Sequence, residues 1–192
     1  VIAALGIGAA GGTVAAATDS LPDTALYPVK IAAEELRFAF ANGAAEQAEQ
    51  MMISVQARVK EMQKLAAKGE VPSEALMNQF QRQLETALQY AAKVGDDGEL
   101  TMLLQRTRQQ LREQVNSLAE TQLQSQVREQ AREELHLAEE ALILALADVE
   151  TGLGDPALFR YRSETNRPEI APEQPDVVPP AGTPLENKQQ QQ

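Results

Sequence analysis

The chain has 192 residues, with 28 acids against 17 bases, a formal net charge of −11, one His and no Cys. It lacks the clustered Lys and Arg that displace counterions from a phosphate backbone, which argues against a nucleic-acid partner. Without thiols there are no disulfides, thiolate metal sites or Cys nucleophiles, although this leaves the redox compartment open. Aromatics are 4% and Trp is absent. Ala, Leu, Gln, Glu and Arg dominate the middle, and these side chains lose little rotamer freedom on a helix. Strand-forming runs are nearly missing, so the expected fold class is all-α.

Residues 1–17 are apolar apart from Thr13, and Thr18 and Asp19 close the run. A full transmembrane helix needs about 20 such residues. Two readings compete: the outer part of a membrane helix, or the remainder of a signal peptide with Ala15, Ala16 and Ala17 as its small-residue junction. A buried helix of a soluble protein is the plainer alternative. Gly6, Gly8, Gly11 and Gly12 weaken an aqueous helix but matter less in a bilayer, where small residues allow close contact. Residues 1–18 are thus a candidate anchor or assembly segment, carried by Ile2, Leu5, Ile7, Gly8, Gly12 and Val14, with Gly8 and Gly12 forming a GxxxG pair.

An elbow over 19–27 follows, because Pro22 and Pro28 lack the N–H a continuing helix needs. Pro28 suits the first turn of a new helix. Ile31, Glu34, Glu35, Phe38 and Ala41 then keep helical spacing, and Asn42-Gly43 supplies a stop, predicting a helix over 28–41. A second helix is predicted over 44–68. Its stripe is Ala44, Ala48, Met51, Met52, Val55, Val59, Met62 and Leu65, and Gly69 ends it. A third starts at Pro72, with a seam of Leu76, Phe80, Leu84, Ala87, Leu88 and Ala91, and stops at Gly95. Asp96 then resembles an N-cap, with Glu99 three residues on.

Residues 99–151 hold no Pro and no Gly. Leu100, Leu104, Leu111, Val115, Leu118, Leu123, Val127, Leu135, Ala138, Leu142, Ala145 and Val149 keep nearly one face. Local rules permit one helix on the order of 80 Å long. The other solution is two helices with an unmarked break near 117–125, the second capped by Ser117 and Glu120. The absence of a breaker favours continuity. The expected architecture is therefore an elongated bundle or hairpin, with a helical domain over 28–162, an apolar helix before it and a Pro-rich tail after it. Gly152 and Gly154 end the long region, and Asp155-Pro156 restarts a short turn through Tyr161. Residues 163–192 carry repeated Pro and a final Gln run, and read as a disordered tail or spacer with polyproline II character.

Ser20, Leu21, Pro22, Leu26, Tyr27, Pro28, Val29 and Lys30 resemble the elbow motif of a bacterial envelope domain of unknown function. Its pattern is roughly Ser-Leu-Pro-Gly-Asp-Pro-Leu-Tyr-Pro-Val-Lys, followed by a Glu-rich helix. Asp23, Thr24 and Ala25 replace Gly-Asp-Pro, and Glu34 or Glu35 takes the acidic position. The resemblance is specific over 20–36, diffuse to about 151, and excludes the tail. It implies an extracytoplasmic, membrane-tethered, all-helical domain, often found after the membrane helix of anti-sigma-factor-like proteins, and no established chemistry.

The remaining chemistry-bearing residues have ordinary readings. Tyr27 packs its ring under the elbow with its hydroxyl toward water or backbone. Lys30 pairs with Glu34 along the helix surface. His136, with Glu133, Glu139 and Glu140 nearby, reads as a solvated helix face rather than a metal site. No Gly-rich phosphate loop, Walker pattern or nucleophile elbow is present, so no catalytic residue, cofactor or metal is expected. The functional expectation is a non-enzymatic protein–protein interaction domain of the cell envelope, membrane-tethered or exported, serving as the ectodomain of a regulator. The alternative is a structural subunit of an envelope complex or extracellular filament, with residues 1–18 buried between subunits. Either way the partner is a protein, or a second copy, met by a helix face.

Overall fold

The computed structural model describes residues 20–165, which form six helices: α1 (Tyr27–Ala39), α2 (Ala44–Ala67), α3 (Glu74–Ala92), α4 (Asp97–Gln122), α5 (Glu129–Gly154) and α6 (Pro156–Thr165). The apolar start and most of the Pro-rich tail, including Ile2, Leu5, Ile7, Gly8, Gly12 and Val14, lie outside the described residues. No described helix is long and apolar enough to cross a membrane.

The core assembles from the expected stripes. Met52, Val55, Val59 and Met62 of α2 meet Leu76, Phe80 and Leu84 of α3 and Leu100, Leu104, Leu111 and Leu118 of α4 in one buried cluster. Ala131, Leu135, Ala138, Leu142 and Val149 of α5 complete it. The α2–α3 and α4–α5 pairs pack most extensively, and α6 closes one end against α5 and α3. Phe159 of α6 is buried there.

The favoured single long helix is corrected by the structure. The chain leaves α4 after Gln122 and enters α5 at Glu129, so each helix is 26 residues and about 39 Å long. The proposed caps are corrected as well: Ser117 and Glu120 lie inside α4, and Arg128 precedes α5 without a side-chain cap bond. Folding back lets the two seams bury each other, which an isolated rod cannot do. Arg132 secures the reversal by donating from Nε to the Gln122 carbonyl at 2.9 Å, satisfying an orphan acceptor at the end of α4. Val127 is buried inside the turn, whereas Leu123 is left 85% exposed at its corner.

Several boundaries also differ. Pro72 precedes α3 rather than starting it, because Ser73 is the N-cap and its Oγ accepts from Leu76 N–H. Gly43, read as a stop for the first helix, serves as the N-cap of α2, at φ +87°, a conformation that a side chain would strain. Gly152 lies within α5 rather than ending it. A Cβ there would stand 2.8 Å from Leu104 Cδ1 and 2.9 Å from Phe159, so glycine is what lets α6 approach. That turn extends beyond Tyr161 to Thr165. The Asp96 and Asp155 caps form, accepting from Glu99 and Leu158 at 2.8 and 3.0 Å.

Candidate functional site

Tyr27, Lys30 and Glu34 follow one another at three and four residues, so α1 presents them on one face. That face lies against α2, which contributes Arg58 and Glu61 one turn apart, with Gln79 arriving from α3. Lys30 Nζ lies 2.5 Å from Glu61 Oε1. Arg58 Nη2 lies 2.6 Å from both Glu34 oxygens, and its Nη1 is 3.2 Å from Glu61 Oε2. The same Nη1 donates to the Tyr27 hydroxyl, which lies 3.1 Å from Gln79 Oε1 and 3.3 Å from Glu61 Oε2. The guanidinium also stands 5.6 Å from the Tyr27 ring centroid. Arg58 is 0% exposed, and Lys30 and Glu61 are buried.

Two cations thus meet two carboxylates, which is what burial requires, since an unpaired interior charge costs several kcal/mol. Arg58 Nε is the one donor of the cluster without a partner among the described residues. Burial pushes the Tyr27 phenol up to about 12; Arg58 opposes the rise, and Glu61 and Glu34 reinforce it. Burial also raises the Glu34 carboxyl against the pull of Arg58 and Lys30. The contribution of Glu34 to stability is therefore present in full below the ordinary carboxyl pKa and is lost as pH rises through the raised value.

The chemistry of this arrangement is attachment. It is a polar latch that fixes α1 and, through the turn at Leu21, Thr24 and Tyr27, the point where the chain enters the domain. Ser20 and Leu21 are buried at that entrance, and Thr24 bonds back to the Leu21 carbonyl with both its N–H and its Oγ1.

The family model for the domain of unknown function DUF5667 matches residues 19–145. The chain belongs to this family. No curated protein and no solved structure matches it. The matched span of the DUF5667 domain opens at the elbow, takes in the whole latch and runs into α5, stopping short of Gly152 and α6.

Within the DUF5667 domain the structure unites Tyr27 and Lys30 of the elbow motif, but not with the partners read from local spacing. The hydroxyl of Tyr27 meets the side chains of Arg58, Gln79 and Glu61, and Lys30 turns to Glu61 while Glu34 is taken by Arg58. The cause is long-range: the docked face of α1 is covered, so its bonds close over 24 to 52 residues of sequence. Leu26, Pro28 and Val29 stay at the surface and Pro22 is half-buried. Arg58 and Glu61 went unrecognised. Their signal was available, since they interrupt the apolar stripe between Val55 and Met62 on its buried side. His136 faces solvent with Nε2 3.4 Å from Glu140, and no group of three metal-capable residues assembles among the described residues.

Proposed function

We propose that this chain is a non-enzymatic interaction domain of the cell envelope, tethered or exported through residues 1–18, with a helix face as its partner-binding surface. The observation that carries the reading is α5. Residues 141–147 are apolar without interruption. A helix apolar all round is expected to be covered all round. Leu142 and Ala145 are in the core, yet Ile143 is exposed, and Leu144, seven residues from exposed Leu137, is 69% exposed. This second face suits a partner that buries it. What supports the role of regulator ectodomain is the pairing of an apolar run at residues 1–17 with an exposed apolar face on α5. The alternative, a subunit of an envelope assembly, uses the same stripe against a second copy.

The chain has no Cys, so a single introduced thiol reports topology. In native cells carrying Ser125→Cys, a membrane-impermeant maleimide should label the intact cell, and a photo-crosslinker at Leu144 should yield protein adducts. Labelling only after lysis, or no adduct at Leu144, would overturn the reading. Adducts twice the mass of the chain select the assembly subunit; adducts with another protein select the regulator.

A further inference from the structure

The face of α1 opposite the latch is apolar and uncovered. Val29, Ala32, Leu36, Ala39 and Phe40 fall within a strip on the outer side of the helix, and all five are exposed, Leu36 at 57% and Phe40 at 76%. Exposed Ile53 of α2 extends the strip across an open groove whose acids, Glu34 and Glu61, are engaged in the latch with Lys30 and Arg58, while Arg37 and Lys60 line it outside the latch. An amphipathic helix normally turns its apolar side inward. Here the one fully buried residue of α1 is Lys30, while the outer side carries Leu and Phe.

Two further observations bear on what could cover this strip. The first is where the apolar run ends. Ser20 and Leu21 are buried in the domain, and two successive turns lead from Leu21 to the start of α1. The apolar run ends at Ala17. Three residues span only about 10 Å even when extended, so whatever holds that run lies close to the start of α1. The second is charge. Residues 20–68 carry six bases and six acids, whereas residues 69–165 carry nine bases and seventeen acids. The α1–α2 side is neutral with Arg37 and Lys60 at its groove, and the acidic remainder is repelled by an anionic surface.

We propose that the outer face of α1 is a lipid-contact surface: α1 lies in the plane of the bilayer interface, seating Leu36 and Phe40 among acyl chains with Arg37 and Lys60 at headgroup level. The inference rests on the membrane-tethered reading of residues 1–18. It adds that the domain lies against the membrane at a fixed angle. The latch sets that angle, because its ion pairs determine the side of α1 that turns outward. The α5 face then remains available to a protein partner.

The test uses the full chain in vesicles of phosphatidylcholine and phosphatidylglycerol doped with spin-labelled lipid. An environment-sensitive fluorophore is placed by Ala32→Cys on the strip, by Gln105→Cys on exposed α4, or by Ala9→Cys in the apolar run. The expected result is quenching at Ala32 several-fold stronger than at Gln105, and its loss when Leu36→Glu and Phe40→Glu are added. Both added positions are exposed, so the fold survives, as an unchanged circular dichroism spectrum will show. Quenching at Ala9 without quenching at Ala32 overturns the inference and leaves the tether standing. Absence of quenching at both sinks the tether and the inference together. Oxidative cross-linking of Ala32→Cys into dimers without lipid quenching assigns the strip to a second copy and also overturns it.

Discussion

α1 and the α4–α5 hairpin both attach helices to the same domain, by opposite means. The hairpin does so with area: Leu100, Leu104, Leu111 and Leu118 share one buried cluster with Leu135, Ala138, Leu142 and Val149, aliphatic side chains that make no directional bonds. α1 does so with direction: one buried residue, Lys30, and a set of bonds from Tyr27, Lys30 and Glu34 to Arg58, Glu61 and Gln79. Apolar burial is strong and tolerant of small shifts, whereas a charged network has few geometries in which every partner is satisfied. A buried ion cluster adds little net stability over an apolar isostere, and conformational specificity is its best-attested use. The hairpin gives the domain its stability, and the latch sets where α1 lies and which face it shows.

The strongest way to break this contrast is Arg58→Met. It leaves Glu34 and Glu61 facing Lys30 alone and should destabilise by about 3–5 kcal/mol. Hydrogen exchange should show α1 losing protection before α4 and α5; equal loss everywhere would mean that the latch is part of the core rather than a fastening on it. Next comes Leu142→Ala at a fully buried seam position. Its expected loss is about 2–4 kcal/mol from transfer and cavity terms. That loss should appear as a lower urea midpoint, with all helices unfolding together.

Gly152→Ala probes the close approach of α6. The added methyl should overpack against Leu104 and Phe159, outweighing the better helix propensity of Ala for a net loss of about 1 kcal/mol. Exchange should speed up in α6 while α1 is untouched. A stabilised variant would refute the packing role of this glycine.

Tyr27→Phe is comparably mild, at about 1 kcal/mol near neutral pH for lost hydrogen bonds. Its signature is in alkali. The phenol is raised from 10.0 to about 12 in the folded state. The stability it contributes is full below pH 10 and is lost as pH rises toward 12. Urea midpoints measured across that window should fall less steeply in the Phe variant than in the parent. Parallel curves would show that the hydroxyl is not held as described.

The stripes of α2, α3, α4 and α5 were legible because spacing at three and four residues is a local consequence of helical geometry. Of the long-region seam, Val115 and Leu123 escape full burial, Leu123 because it falls at the reversal. The latch was half legible. Tyr27 and Lys30 could be named from the elbow motif, but their partners sit on α2 and α3, and no rule based on near neighbours reaches across 24 to 52 residues.

The α4–α5 reversal shows the boundary most sharply. Residues 122–129 have no proline and no glycine, and their propensities permit a straight helix. The preference for two helices comes from what each seam gains by lying against the other and against α2 and α3, a gain that exists only when the chain has folded back. Periodicity, caps and the positions of Pro and Gly follow from bonds among near neighbours, so the amino-acid order specifies them directly. Where the chain turns, which charges pair, and whether Gly152 is a stop or a gap for Phe159 depend on surfaces that meet only in the assembled bundle.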